Sequence, residues 1–262
     1  MPSAEFTTIQ VSADGAVGHL ALDRPEKLNP LGTTTLLELA AAARWFDDQP
    51  EIKAVVVSGR GRSFSAGADL ASFGDPAANQ GLTAREAADA GRLMAEAVEA
   101  MAAVTVAAIH GHCIGGGVVL ASACDLRVAA EDTYFSIPEV DLGIPLAWGG
   151  IPRLVREIGP ALTRELVLTC RPFTAAEAQG FGFLNRVVPT DRVRATADEL
   201  ADRLVTKSRL TLTATKRHVQ AVLEAMSGAA ASWSDADGLV TALHDPESRA
   251  AGADYLARVR GD

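Results

Sequence analysis

The sequence predicts an α/β fold with parallel crossovers, and three observations carry that expectation. The runs from Lys53 to Ser58 (KAVVVS) and from Val104 to Ile109 (VTVAAI) are apolar without alternation, the pattern of strands buried on both faces. Stretches of helical periodicity and length precede both, so strands and helices alternate through the first two thirds of the chain and call for βαβ connections. From Asp191 onward the pattern turns wholly helical.

In chain order, Glu5 to Gln10 and Val17 to Leu22 read as antiparallel strands about a turn at Ala13-Asp14-Gly15. Asp23 to Leu31, with Pro25 and Pro30, is a loop. Thr33 to Asp48 is a helix whose apolar face is expected to hold Leu36, Leu37, Leu39, Ala40, Ala43 and Phe46. The small-residue stretch from Gly59 to Leu70 follows a buried strand, so it is either a loop that presents backbone to a ligand or an ordinary strand-to-helix turn. Ala71 to Gly81 reads as a mobile segment.

Thr83 and Glu86 stand in capping-box spacing and open a helix expected to reach Val104. The strand after it delivers the chain to His110–Asp125 (HGHCIGGGVVLASACD), where Gly115, Gly116 and Gly117 begin a helix whose first amides lack internal partners. Leu126 to Ala130 and Tyr134 to Ser136 are short strands, and Pro138 to Pro145 is a turn. Helices follow from Gly149-Gly150-Ile151-Pro152 to Ile158 and from Ala161 to Cys170. Thr174 and Glu177 repeat the capping box before a short helix that stops at Gly180 and Gly182, and Phe183 to Val188 is a strand. The tail contributes helices over Asp191–Lys207, Leu210–Met226 and Pro246–Arg258, with a Gly, Ala and Ser patch between the last two. The expected division is an α/β core over residues 1–197 and a helical oligomerisation region over 198–262.

Composition narrows the function. The 262 residues carry a formal charge of −9, which argues against nucleic acid as partner. The amino terminus lacks the basic and apolar segments of a signal peptide, and no apolar run reaches membrane-spanning length, so no membrane partner and a cytoplasmic location are expected. Cys113, Cys124 and Cys170 form no C-x-x-C pair and read as free buried thiols.

The glycine cluster has neither the G-x-G-x-x-G of a dinucleotide site nor the Lys and Ser or Thr of a P-loop. His110 and His112 lack a third ligand nearby, so no metal site is expected. Ser65 lacks the G-x-S-x-G elbow of a hydrolase nucleophile. What remains is two glycine-rich loops after buried strands, and a carboxylate, Glu139, on a Pro-punctuated turn. Two amides converging on one oxygen form an oxyanion hole, and a carboxylate beside it moves protons next to the stabilised carbonyl.

Three ordered motifs carry a resemblance: Phe64–Leu70 (FSAGADL), His110–Gly117 (HGHCIGGG) and Pro138–Gly143 (PEVDLG). Leu22-Asp23-Arg24-Pro25 with Leu28-Asn29-Pro30-Leu31, and Gly180–Val188, extend it over nearly the whole chain. The sequence resembles the crotonase superfamily, the enoyl-CoA hydratase and isomerase family. The resemblance implies a crotonase-like spiral of ββα units with a C-terminal helical trimerisation region, assembled as a homotrimer or dimer of trimers. It also implies an acyl-CoA thioester as ligand, with coenzyme A entering as part of the substrate and no other cofactor. By position, the Ala68 and Gly116 amides match the oxyanion-hole donors and Glu139 the acid/base. Lys27 lies in the stretch that matches the family's CoA loop and is either a partner of a CoA phosphate or a solvated surface lysine, and the backbone of Ala66 and Ala68 matches the adenine side. Asp69 and Leu70 continue that motif, and the resemblance implies that Arg258 in the last helix reaches a neighbouring subunit's CoA. Trp148, near Leu146, either walls the acyl pocket or belongs to the core.

One departure is chemical. Hydratases of this family carry a second glutamate after the glycine cluster, and here that position is Val119. The dienoyl isomerases add an aspartate eight residues beyond the later glutamate, where this chain has Ala147. A single carboxylate suits an isomerase-type proton shuttle, with Glu139 returning to the acyl chain the proton it removes. The alternatives are a classical hydratase that recruits a carboxylate from elsewhere, such as Asp75, and a non-catalytic acyl-CoA binding protein.

Overall fold

A computed structural model describes residues 6–70, 76–227 and 232–260. Asp75 and the first half of the expected mobile segment lie outside the described residues. The chain builds a six-stranded sheet in the order β1-β2-β3-β4-β6-β9 and a three-stranded sheet in the order β5-β7-β8. The first hairpin, β1 (Ile9–Asp14) and β2 (Val17–Leu22), is antiparallel, and Asp14 pairs with Val17. Its turn is therefore Gly15-Ala16, with Gly15 at φ 56°, and β1 runs further along the chain than the sequence pattern implied.

From β2 onward the large sheet is parallel. Helix α1 (Thr33–Asp47) leads to β3 (Ala54–Gly59), and α2 (Ala84–Ala100) to β4 (Val104–Ile109). The α2 capping box forms in both directions, with Thr83 Oγ1 accepting from Glu86 N–H and the Glu86 carboxylate accepting from Thr83 N–H. After β4 the chain makes β5 (His112–Ile114) and α3 (Gly116–Ser122), returns to the large sheet as β6 (Leu126–Ala130), and leaves again as β7 (Tyr134–Ser136). This alternation between two sheets is the spiral.

Helix α4 (Gly150–Thr169) breaks at Gly159, φ 77°, ahead of Pro160, which accounts for the two helices read from sequence. The edge strand β8 (Phe173–Thr174) and α5 (Ala175–Gly180) follow. Only Arg186–Val188 of the expected 183–188 strand enters the sheet, as β9. The Phe183 and Leu184 amides instead donate to Ala178 O, closing the end of α5.

Two apolar layers cover the large sheet. Leu36, Leu39, Phe46, Met94 and Val98 from α1 and α2 pack on one face. On the other, Val193, Ala197 and Ala201 of α6 (Val193–Val205) meet Val56, Val106 and Val128. Residue 198 thus lies inside a helix that packs on the sheet. Beyond it come α7 (Arg209–Ser227), α8 (Asp235–Ala242) and α9 (Pro246–Arg260). Helix α8 falls where the sequence pattern gave only a small-residue patch. No helix among the described residues is long and apolar enough to cross a membrane.

Candidate active site

The two glycine-bearing loops meet. Ser65 bridges Cys113 of β5, with Ser65 N–H donating to His112 O and Ile114 N–H to Ser65 O. Gly67, at φ 86°, lies so close to this strand that an added Cβ would stand 2.7 Å from Ile114 O. A second loop holds the first: Leu31 N–H donates to Gly67 O and Asp69 N–H to Leu31 O. In such a parallel bridge Ala68, between the two bonded residues, turns its own N–H away from Leu31. Gly116 begins α3, so its amide has no intrahelical acceptor.

Glu139 reaches the same place from the turn after β7. Leu142 N–H donates to Pro138 O and Ile144 N–H to Glu139 O, which coils residues 138–144 tightly. Helix α9 buttresses the coil, since a Cβ on Gly143 would meet Ser248 O at 2.0 Å and one on Gly252 would meet Leu142 O at 2.8 Å. The Glu139 carboxyl lies against Gly115, whose backbone adopts φ 46°, ψ −111°; a Cβ there would stand 2.3 Å from Oε1. Oε2 is buried and has no hydrogen-bond partner among the described residues. Loss of hydration pushes the carboxyl up to about 7.

Glu139, Ala68, Gly116 and Trp148 line one pocket with Val119, Ile144, Pro145, Leu146, Ala147 and Leu239. Its wall is otherwise apolar, and Val119 is buried at 1% exposure. The remaining sequence candidates do not line it. Ala66 N–H is taken by Leu28 O, and the Asp69 carboxylate pairs with Arg24 at 2.8 Å. Lys27 is exposed in a short 3-10 turn, Leu70 is 36% exposed, and Arg258 lies exposed on α9 with its guanidinium over the Tyr255 ring. No cluster of three or more His, Cys, Asp or Glu side chains suited to a metal occurs among the described residues.

Sequence reasoning passed over several contributors. Asn29, buried at φ 55°, donates from Nδ2 to Ser63 O and accepts from Ser65 Oγ–H and Arg24 N–H through its carbonyls, tying the 24–31 loop to the loop of Ala68. Its place in Leu28-Asn29-Pro30-Leu31 was the available signal. Gly91 on α2 and Leu239 on α8 touch the pocket or its wall from distant parts of the chain, and no local pattern marks them.

A family profile described as enoyl-CoA hydratase/isomerase matches residues 12–258. This chain belongs to the enoyl-CoA hydratase/isomerase family. A probable enoyl-CoA hydratase of Mycobacterium tuberculosis is 36% identical over 222 residues, covering 83% of this chain and 84% of that protein. A peroxisomal Δ(3,5)-Δ(2,4)-dienoyl-CoA isomerase of Arabidopsis thaliana is 33% identical over 230 residues, 82% of each chain. The crystal structure of an enoyl-CoA hydratase from Mycobacterium avium subsp. paratuberculosis superposes with a TM-score of 0.85 at 26% identity, over 97% of this chain and 99% of that one. The fold is that of the crotonase superfamily, and the chain is an acyl-CoA enzyme of this family.

Proposed function

We propose that this enzyme binds an acyl-CoA thioester, holds its enolate between the Ala68 and Gly116 amides, and uses Glu139 as the single acid/base of an isomerase-type proton shuttle. The observation that carries this reading is the pocket itself: one carboxylate, with Oε2 unpartnered among the described residues, shares it with Ala68, Gly116 and an otherwise apolar wall that includes Val119. Ionised Glu139 takes a proton from C2 of a 3-enoyl thioester, and the electron pair moves onto the thioester oxygen. The two N–H donors hold that oxyanion, and Glu139-H then delivers the proton to C4 as the double bond settles between C2 and C3. Each such donor contributes about 3 kcal/mol to an oxyanion-forming step. The reaction draws on no cofactor beyond the CoA of the substrate.

Hydration needs a second group to hold or activate water, and among the described residues lining this pocket none is a second carboxylate. The mycobacterial hydratase relative is the argument for the rival reading. Parallel assays with 3-hexenoyl-CoA and crotonyl-CoA separate them. Isomerisation is expected to dominate and to fall by roughly 10²- to 10⁴-fold in Glu139→Gln. Brisk hydration of crotonyl-CoA would favour the hydratase, and unchanged ligand affinity with no turnover of either substrate would favour a binding protein.

The same reading makes the enzyme a trimer or dimer of trimers. In support, Val219, Val222 and Met226 stand exposed at positions that share one face of α7, leaving apolar surface that a second copy would cover.

A further inference from the structure

Trp148 is built into the site with unusual care. It and Gly149 are consecutive residues in left-handed backbone conformation, at φ 60° and φ 69°. A bulky side chain does not adopt this region without help. The help is visible: Gly149 N–H donates to the Asp235 carboxylate at 2.8 Å, and Gly149 O accepts from Arg153 Nη1 at 3.1 Å. Asp235 begins α8, and Arg153 is itself paired with Glu99 of α2.

The indole that this turn aims inward rests on two glycines. A Cβ on Gly91 would stand 2.1 Å from Cγ and Cδ2 of the five-membered ring, and one on Gly116 would stand 2.2 Å from Cζ3 of the six-membered ring. The ring therefore spans from α2 to the residue proposed as an oxyanion donor, and it is 8% exposed while lining the pocket. Behind it, Ala90, Met94 and Ala95 of α2 are fully or almost fully buried.

We infer that Trp148 is the specificity-determining wall of the acyl pocket, closing it toward α2 and restricting the enzyme to short-chain acyl-CoA substrates. The inference rests on the acyl-CoA reading of the site. Replacing the indole by a methyl group extends the pocket into the volume that the ring fills between Gly116 and Gly91 of α2.

Titration calorimetry with CoA, butyryl-CoA and decanoyl-CoA tests it without requiring turnover. Wild type is expected to bind butyryl-CoA more tightly than decanoyl-CoA. Trp148→Ala is expected to raise the affinity for decanoyl-CoA relative to butyryl-CoA by at least about tenfold, because the added methylenes gain a buried site. Trp148→Phe, which keeps an aromatic ring and decides the matter if the alanine variant does not fold, is expected to shift the ratio in the same direction by less. A ratio unchanged in a folded variant that still binds butyryl-CoA overturns the wall, and so does a wild type that prefers decanoyl-CoA. Failure of both thioesters to bind better than CoA itself overturns the acyl-CoA reading, and the wall falls with it.

Discussion

Glu139 joins a stability cost to a chemical use. Its pKa of about 7 stands above the 4.5 of an exposed glutamate because the folded chain removes water from the carboxylate without replacing the lost hydrogen bonds at Oε2. The base form must therefore grow in as pH rises through about 7, and kcat/KM for proton abstraction is expected to climb over that range and then level off. For folding, the sign is that of a raised carboxyl. The protonated group's contribution is complete below pH 4.5 and is lost as pH rises through about 7. The loss amounts to about 3 kcal/mol from the difference between the two pKa values. Glu139→Gln has no such titration, so urea unfolding at pH 4.5 and pH 8 should show its stability gaining on wild type with increasing pH. Parallel pH dependences would contradict a buried, desolvated carboxyl.

At the scale of elements, legibility followed locality. The buried strands β3 and β4 and both capping boxes declared themselves because composition or spacing within a few residues determines them. The motif glycines declared the loops, and PEVDLG the position of Glu139. Strands β5 and β8 did not, being two or three residues long and stabilised by a partner strand rather than by their own pattern. Helix α8 was hidden in what read as a Gly, Ala and Ser patch, although Asp235 and Asp237 suit the first turn of a helix. Its role could not be read at all, since Asp235 acts on Gly149, far back in the chain. Removing that acceptor with Asp235→Ala leaves a part-buried N–H unpaired and should cost about 1–3 kcal/mol in urea unfolding. Asp235→Asn should recover much of it, because the amide carbonyl can still accept. Equal losses in the two variants would mean that the bond to Gly149 does not hold the turn.

Across the whole molecule, the two halves of the site belong to different layers. The wall behind Trp148 is α2, whereas the turn that carries Trp148 leads into α4. The layers are joined by Glu99 of α2, whose carboxylate meets both Arg153 and Arg156 of α4, with all three side chains largely buried. Arg153 Nε and Arg156 Nε and Nη1 find no partner among the described residues, so two cations share one anion at the cost of unsatisfied donors. Such a cluster is a poor source of net stability compared with apolar packing, but it fixes how α2 docks on α4 and hence where Gly91 lies against the indole. Glu99→Leu strands both guanidinium groups and should destabilise the fold by about 3–5 kcal/mol. A variant with leucine or methionine at positions 99, 153 and 156 together removes every charge of the cluster and should regain most of that loss in the same urea titration. A triple variant no more stable than Glu99→Leu would show that the cluster contributes through packing of the arginine stems instead of through its charges.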